Sequence, residues 1–344
     1  MHVTHGQADE YRALWDRYDV ALLDLDGVVY VGEDAVEHAD RALADARARG
    51  MRLAFVTNNA SRPPLAVAEH LASLGVPAHE DEVVTSAQAA ARVVAERVPP
   101  GSAVLVVGGA GLEVALRERG LVPVRSATES PAAVAQGYHP DVGWRDLAEG
   151  AYALATGVPW VASNTDLTLP TPRGPAPGNG TLVGVLRTAT GREPVVAGKP
   201  EPPMHREAMI RTGARRPLVV GDRLDTDVEG ATRAGVDSLL VLTGVTTAVE
   251  LVRASPPQRP TYVSADLRGL ARPGRALSVA AGADRRGSWS AVVESGRLRL
   301  VQVGEPDDDG LDALRAACGA VWSEPEPGTV DGVEDTLSRA GVLA

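Results

Sequence analysis

The sequence predicts an α/β fold with three parts: a Rossmann-like parallel-sheet core, an inserted α/β cap domain and a small C-terminal α+β appendage. Short apolar runs alternate with stretches of helical apolar spacing, which is typical of a parallel sheet buried on both faces. This pattern changes near residue 80, resumes near residue 190 and ends near residue 268. A chain of 344 residues is long enough for two or three such domains.

The core is predicted over residues 18–80 and 190–268, with the cap over residues 81–189 between its two parts. The first part has a strand that ends at Asp24, a helix over 35–49 and a second strand over 51–56. A strand, a helix and a strand in this order imply a right-handed crossover in a parallel sheet. Further strands are predicted over 103–107 and 160–162 in the cap. Where the core resumes, a short strand and turn are predicted over 195–200, and strands over 217–222 and 238–242. The Pro/Gly-rich stretch 171–180 predicts an irregular loop.

The appendage, residues 275–344, is predicted to be a hairpin followed by two helices. Residues 289–294 and 298–303 form the hairpin strands around Ser295-Gly296-Arg297, and helices follow over 309–317 and 330–339. This order resembles a fragment of an acetyltransferase-like fold. No loop of the kind that holds a coenzyme A pyrophosphate is present, so we expect the appendage to contribute stability and packing rather than acetyl transfer.

Composition excludes several classes of partner. The formal net charge is −11 and no basic run occurs, which argues against nucleic acids and anionic membranes as partners. No apolar run approaches membrane-spanning length. The single cysteine, Cys318, excludes an internal disulfide framework and predicts a reducing, cytoplasmic location. Because the seven histidines form no cluster, a metal ion would be held by oxygen ligands.

The stretch after the first strand carries the first chemical signal. Asp24 and Asp26 are two residues apart, so in extended backbone they project to the same side. Neighbouring carboxylates repel unless a cation lies between them or one is protonated. A calcium loop is excluded, because the twelfth residue from Asp24 is Ala35, and Val28 and Tyr30 stand third and fifth from Asp26. The pair instead predicts a site for a hard divalent metal and a reactive carboxylate.

Polar residues also follow the later strands of the predicted core. Thr57 ends the second strand, Lys199 follows a short third one, and Asp222 ends a fourth with Asp227 close behind. Ligands of parallel sheets lie at the carboxyl ends of strands, so these residues are expected to share one edge. Lys199 is the only lysine among 34 basic residues. Lysine is a compact point charge and arginine a planar fork, so its retention at this position indicates a tight site.

These motifs in this order resemble the haloacid dehalogenase superfamily of phosphatases. The motifs are Asp-Leu-Asp-Gly-Val-Val-Tyr from Asp24, Thr-Asn-Asn from Thr57, Gly-Lys-Pro from Gly198 and Gly-Asp-Arg-Leu-Asp-Thr-Asp from Gly221. The similarity is to the large-cap branch with nitrophenylphosphatases, phosphoglycolate phosphatases and pyridoxal phosphatases. Actinobacterial glycerol-3-phosphate phosphatases, which also carry a C-terminal extension, are the most alike. The resemblance covers residues 18–268.

The resemblance implies a Mg²⁺-dependent phosphomonoesterase that works through an aspartyl-phosphate intermediate. Asp24 would be the nucleophile and Asp26 the general acid and base. Mg²⁺ would bind the Asp24 carboxylate, the Asp26 backbone carbonyl and Asp222. The phosphoryl group would be bound by Thr57, Asn58, Asn59 and Lys199. Lys199 would also be catalytic, because it would neutralise the charge of the phosphoryl group and of Asp24. Asp227 would orient Lys199 or a metal-bound water.

The expected substrate is a small phosphate ester, glycerol 3-phosphate by preference, with phosphoglycolate second and pyridoxal phosphate third. For the second carboxylate of phosphoglycolate, Arg62 and Arg173 are the candidate cations. A phosphotransferase or mutase of the same fold and a non-catalytic binding module are the alternatives. The resemblance also allows a homodimer, because related caps dimerise. Three other residues are predicted to be structural: Trp144 and Cys318 in the core and Asp225 in an exposed turn.

Overall fold

A computed structural model describes residues 9–169, 171, 173–304 and 309–342. Residues 343–344 and 305–308 of the predicted appendage and Pro172 of the predicted loop lie outside this range. The chain divides into two compact units, one formed by the described residues up to Leu53 together with those from Ala214 onward, the other by residues 54–213. This division does not decide the predicted bounds of core, cap and appendage, which stay a prediction.

Eighteen strands have described bounds. In chain order they are β1 Val20–Leu23, β2 Tyr30–Val31, β3 Asp34–Ala35, β4 Arg52–Thr57, β5 Val83–Thr85, β6 Ala103–Val107, β7 Val122–Val124, β8 Ala133–Gln136, β9 Trp160–Ala162, β10 Thr168–Leu169, β11 Ala176–Pro177, β12 Val195–Val196, β13 Pro217–Gly221, β14 Asp237–Val241, β15 Tyr262–Ser264, β16 Arg285–Arg286, β17 Trp289–Glu294 and β18 Arg297–Gln302.

Thirteen α-helices have described bounds. They are α1 Leu14–Arg17, α2 Ala39–Ala48, α3 Pro64–Ser73, α4 Ser86–Ala95, α5 Ala110–Glu118, α6 Trp144–Ala155, α7 Asn179–Thr190, α8 Pro202–Thr212, α9 Glu229–Ala234, α10 Ala248–Val252, α11 Gly274–Leu277, α12 Asp312–Val321 and α13 Val333–Arg339. Among the residues that the structure describes, no helix is long and apolar enough to cross a membrane.

The first unit is built on parallel strands in the order β15-β14-β13-β1. All four residues of β1 are buried, as are four of the five in β13 and in β14. The strands are apolar on both faces, so burial of both faces is favourable. In the register of β1 and β13, Leu23 lies beside Val220. The residues that follow both strands therefore emerge at the same edge of the sheet.

The C-terminal segments of the first unit share a hydrophobic core with this sheet. The core joins Leu240 of β14 and Val263 of β15 to Leu298 of β18, Leu314 of α12 and Leu337 of α13. Removal of the appendage, residues 275–344 (below, the tail), would expose this part of the sheet to water. This would lower the stability of the unit, because apolar burial stabilises by about 25 cal/mol per Å². The tail is thus packed as part of the unit, as the sequence predicts.

The second unit contains a five-stranded parallel sheet in the order β12-β9-β8-β6-β7, and the parallel pair β4 and β5. Its core includes Leu105, Val134 and Trp160 on the strands, with Leu154 and Leu186 from two helices packed over them. The predicted α/β class, with a parallel-sheet core and a small antiparallel sheet near the C-terminus, is confirmed.

Two local predictions are wrong and one is confirmed. Trp144 is 77% exposed, because it is the first residue of α6 and the buried residues of that helix lie in its C-terminal half. The stretch 171–180 is less irregular than predicted, since β11 pairs with β10 and α7 begins at Asn179. Cys318 is fully buried in the shared core, as expected, and burial raises the pKa of its thiol.

A buried carboxylate joins three helices of the second unit. Glu207 on α8 is fully buried and accepts hydrogen bonds from Arg92 of α4, from Arg119 Nη2 at 2.6 Å just after α5, and from Arg211 Nε at 2.6 Å. Burial alone would raise the pKa of Glu207, but the hydrogen bonds and charges of the three guanidinium groups outweigh it and lower that pKa. Glu207 therefore stays ionised and holds the helices together.

We expect Glu207→Gln to lower the free energy of unfolding by about 3 kcal/mol, because breaking a buried pair leaves uncompensated charges. Glu118→Gln is the matched control, since its carboxylate is 40% exposed and lies 3.3 Å from Arg211, and we expect it to cost less than about 1 kcal/mol. Urea unfolding measures both, and equal losses would contradict the prediction.

The effect has a defined pH dependence. The pKa of Glu207 is lower in the folded chain than its ordinary value of 4.5, so its stabilisation is complete above that pH and is lost as the pH falls through the folded value. The difference between wild type and Glu207→Gln should therefore shrink in acid.

Candidate active site

Three carboxylates converge at the edge of the first unit's sheet. Oxygen atoms of Asp24, Asp222 and Asp227 all lie within 4.8 Å of one another. Asp24 is half-buried, and Asp222 and Asp227 are almost completely buried. Three carboxylates this close repel one another strongly unless a cation or protons compensate them.

The strand register brings the first two acids together. The backbone N–H of Asp24 donates to the carbonyl oxygen of Val220 at 2.8 Å, one residue beyond the end of β1. Asp222 follows the last residue of β13, Gly221. Because paired parallel strands end side by side, both carboxylates stand at the same edge.

Two close-packed glycines fix the Asp222 side chain. A Cβ atom at Gly27 would lie 2.4 Å from Asp222 Oδ2, and one at Gly244 would lie 2.0 Å from the same oxygen. Val245 N donates to Asp222 Oδ2 at 2.6 Å, and Thr243 Oγ1 donates to the Gly27 carbonyl at 2.5 Å. The loop after β14 therefore positions the buried acid, and sequence reasoning missed this loop because only the tertiary structure brings residue 244 to residue 222.

Asp227 reaches the cluster through the turn that follows. Residues Leu224–Val228 form a single π-helical turn, and Arg223 N donates to Asp227 Oδ2 at 3.2 Å. A Cβ at Gly221 would lie 2.2 Å from Asp227 Cβ, so only glycine permits this approach. Asp225 is 58% exposed and pairs with Arg223, as predicted for a turn acid.

The donor set fits a hard divalent cation. The cluster offers only carboxylate oxygens, without histidine or cysteine, which is the ligand chemistry that Mg²⁺ and Ca²⁺ prefer. The structure places an Asp227 oxygen within 4.8 Å of oxygens of Asp24 and Asp222. The sequence predicted only an orienting role for Asp227. Asp26 does not belong to the carboxylate cluster. Its side chain is exposed, on the turn that begins at Gly27.

The second unit holds the other predicted residues. Thr57 is buried at the end of β4, and its Oγ1 accepts from Asn59 N at 3.1 Å. The Asn59 side chain closes the next turn, because its Oδ1 accepts from Ser61 N at 2.8 Å and Ser61 Oγ at 2.7 Å. These bonds fix the backbone of the loop after β4, which carries the consecutive amide groups of Asn58 and Asn59.

Asn58 ties this loop to the Lys199 segment. Its Oδ1 accepts from Lys199 N at 2.8 Å, and its Nδ2 donates to the Lys199 carbonyl at 3.1 Å. A Cβ at Gly198 would lie 2.6 Å from Asn58 Oδ1, so glycine is needed there. Lys199 is 4% exposed, and its Nζ donates to the Val56 carbonyl at 3.4 Å. The Asn58 amide is thus used in holding Lys199.

Sequence reasoning missed two residues that support Asn58. Asn164 Nδ2 donates to the Asn58 carbonyl at 2.7 Å, and Asp166 Oδ2 accepts from Asn58 Nδ2 at 3.2 Å. Both follow strand β9, so polar residues at a strand end were the available signal. Arg62 and Arg173, the candidate cations for a second substrate group, are exposed.

Three stretches of the chain match known families. Residues 21–122 match the family described as haloacid dehalogenase-like hydrolase, and residues 196–270 match the HAD-hydrolase-like family. Residues 286–341 match the GCN5-related N-acetyltransferase like domain.

Individual proteins extend these matches. The chain is 46% identical over 316 residues to D-glycerol 3-phosphate phosphatase of Mycobacterium tuberculosis, covering 90% of this chain and 88% of that protein. It is 38% identical over 231 residues to a 5'-nucleotidase of Bacillus subtilis, covering 67% of this chain and 89% of that protein. The crystal structure of glycerol phosphate phosphatase from Mycobacterium tuberculosis in complex with magnesium aligns with a TM-score of 0.88 at 43% identity, over 96% of this chain and all of that one.

The glycines around Asp222 generate a prediction. Gly244→Ala should displace the Asp222 carboxylate and weaken Mg²⁺ binding by about tenfold or more, as expected when the support of a metal ligand is lost. Gly184→Ala is the matched control, because a Cβ there meets no atom within 4 Å. Mg²⁺ titration by calorimetry measures the affinity of both variants. Unchanged affinity in Gly244→Ala would contradict the role of this glycine in positioning the Asp222 carboxylate.

Proposed function

The chain belongs to the haloacid dehalogenase-like hydrolase family, and we propose that it is a Mg²⁺-dependent phosphatase of small phosphate monoesters, with glycerol 3-phosphate preferred. The observation that carries the proposal is the convergence of Asp24, Asp222 and Asp227 within 4.8 Å behind buried strands. The similarity to a D-glycerol 3-phosphate phosphatase over 90% of the chain supports the substrate.

Asp24 is proposed as the nucleophile. Its carboxylate stands on rigid backbone at the end of β1, where the hydrogen bond to the Val220 carbonyl fixes the residue. An Asp24 oxygen attacks phosphorus, the bond to the ester oxygen breaks, and an aspartyl-phosphate forms. Water then hydrolyses this acyl phosphate and restores the free carboxylate.

Asp26 is proposed as the general acid and base. Its exposed side chain follows Asp24 by two residues, which allows it to reach a leaving group beyond the phosphoryl centre. It donates a proton to the departing alkoxide in the first half-reaction. It removes a proton from the hydrolytic water in the second.

Asp24, Asp222 and the backbone carbonyl of Asp26 are proposed to hold Mg²⁺, with Asp227 orienting its surroundings. When bound, the ion neutralises phosphoryl charge and aligns the ester with the nucleophile. The buried position of Asp222, with Gly27 and Gly244 packed against it, keeps its carboxylate aimed while substrates exchange.

Thr57, Asn58, Asn59 and Lys199 are proposed to bind the phosphoryl group. The bonds around Asn58 support this role, since they present backbone amides and the Lys199 segment as one rigid assembly. Such preorganised donors stabilise the charge of the transition state without reorganising. The Asn58 side chain acts through Lys199, and the backbone amides act directly.

The alternative activities have less support. A mutase or phosphotransferase of this fold uses the same nucleophile, and release of free phosphate to water separates the two. A non-catalytic binding module would be expected to have lost at least one acid of the cluster. All three acids are present, which favours catalysis.

Three further proposals rest on the sequence. Residues 18–80 and 190–268 are the catalytic core, 81–189 the cap and 275–344 an acetyltransferase-like appendage, which the family match over 286–341 supports. The single buried cysteine supports a reducing, cytoplasmic location. A homodimer rests on the family resemblance alone, and a monomeric mass by light scattering would exclude it.

We expect Asp24→Asn to lower kcat below about one-thousandth of wild type, because the change removes the nucleophile. Asp225→Asn is the matched control: the same change at an exposed acid should leave kcat within about twofold. Phosphate release in Mg²⁺ measures both. Normal turnover by Asp24→Asn would contradict the catalytic proposal.

We expect kcat/KM for glycerol 3-phosphate to exceed that for phosphoglycolate and pyridoxal phosphate. Among the described residues, the exposed arginines Arg62 and Arg173 offer no fixed cation for a second carboxylate. A 5'-nucleotide belongs in the same panel because one relative is a 5'-nucleotidase. A tenfold preference for another ester, about 1.4 kcal/mol of transition-state stabilisation, would contradict the ranking while leaving the catalytic assignment intact.

A further inference from the structure

A pocket of about 430 Å³ lies in the first unit where residues after β15 meet the tail. Its lining residues are Arg272, Arg275, Ala276, Arg286, Gly287 and Asp312. None of them belongs to the carboxylate cluster or to the proposed phosphoryl-binding residues. A volume in this range accommodates a small metabolite.

The lining is positive in a chain whose net charge is −11. Three guanidinium groups, of Arg272, Arg275 and Arg286, border the pocket with a single carboxylate, that of Asp312. The charge of Asp312 is shared with an arginine outside the lining, because its Oδ1 accepts from buried Arg315 Nη1 at 2.9 Å, while its Oδ2 lies beside Gly287.

The second nearby acid is shared in the same way. Asp309 accepts from Arg315 Nη2 at 2.6 Å and lies 3.3 Å from Arg272 Nη1. The four arginines of this group carry two charges more than its two aspartates, and the exposed Glu10 carboxylate, which also acts on Arg286, leaves an excess of one positive charge. The local field therefore attracts anions, in contrast to the rest of the chain.

Arg286 is the central group of the pocket. Its Nη1 donates to the Arg275 carbonyl at 3.2 Å and its Nη2 to Ser278 Oγ at 3.1 Å, so both acceptors are neutral. Its Nε is buried and has no hydrogen-bond partner within the described part of the chain. Burial lowers the pKa of Arg286. The neighbouring Arg315 charge lowers this pKa further, and the Asp312 carboxylate opposes both effects. The half-buried Arg286 guanidinium donates through Nη1 and Nη2 to neutral oxygens, so an anion in the pocket would compensate its charge.

We propose that this pocket is a second anion site that binds the phosphate group of a small metabolite or inorganic phosphate. Planar guanidinium groups bind phosphate oxygens through paired charge-assisted hydrogen bonds. Three arginines line this pocket, and the guanidinium of Arg275 also stacks 4.2 Å over the Tyr11 ring. The site is separate from the catalytic carboxylates and does not depend on a metal ion. Because Arg272 precedes the appendage, whereas Arg275 and Arg286 belong to it, a bound phosphate would bridge the two and add to the stability of the unit.

Calorimetry of the full chain with inorganic phosphate tests the site, in 150 mM NaCl to screen unspecific surface binding and with EDTA to remove divalent cations. We expect Mg²⁺-independent binding that Arg286→Gln and Arg275→Gln each weaken at least about tenfold, as for loss of one charge-assisted contact. Arg41→Gln on α2 is the matched control for removal of an exposed arginine. Arg275 is also exposed, so its variant serves even if Arg286→Gln fails to fold.

Glycerol 3-phosphate titrated into Asp24→Asn, which is expected not to hydrolyse it, separates the two sources of phosphate. Tighter binding of the ester indicates a metabolite site, and tighter binding of inorganic phosphate indicates a product site. Absence of Mg²⁺-independent binding, or binding unchanged in both arginine variants, would overturn the proposal. Phosphatase activity of Arg275→Gln should stay at the wild-type level, so failure of this site is distinguishable from failure of the catalytic proposal.

Discussion

The mutual repulsion of three carboxylates is the constraint on which the site of the first unit depends. Asp24, Asp222 and Asp227 hold oxygens within 4.8 Å of one another, and such proximity costs free energy in the absence of a compensating charge. The fold meets this cost with rigidity. Buried strands fix the backbone of Asp24 and Asp222. Glycines pack directly against the side chains of Asp222 and Asp227. A cation that enters this arrangement finds its ligands already gathered.

The second unit solves a related problem with hydrogen bonds. A lone lysine must be kept in place although it is almost fully buried. Asn58 holds the Lys199 backbone from both sides, and Asn164 and Asp166 in turn hold Asn58. Each polar group in this chain of contacts has a partner, which is what makes burial tolerable. Positioning therefore extends well beyond the residues that would touch a substrate.

Features with a local cause were predictable from the sequence. The buried strands are continuous apolar runs, and the polar residues that end them stand directly after those runs, so the amino-acid order alone suffices to predict Asp24, Thr57 and Asp222 at strand ends. It does not suffice for the supports of those residues. Gly244 packs against Asp222 from a loop 22 residues later, and Asn164 reaches Asn58 across 106 residues. Trp144 shows the opposite error, because a large aromatic ring at the start of a helix gains burial only if a neighbour covers it, and none of the described residues does.

The tail also decides how the end of the sheet meets its surroundings. β15 is the outermost strand of its sheet, and an outermost strand carries unpaired backbone groups that can recruit another chain. Here Arg315 Nη2 donates to the Val263 carbonyl at 2.9 Å, and Val279 N donates to the Thr261 carbonyl at 3.0 Å. The carbonyl of Val263 in this strand and that of Thr261 just before it are thereby bonded to the chain's own residues. The tail thus supplies hydrogen-bond donors to backbone acceptors at this edge of the sheet, independently of any chemistry at the strand ends.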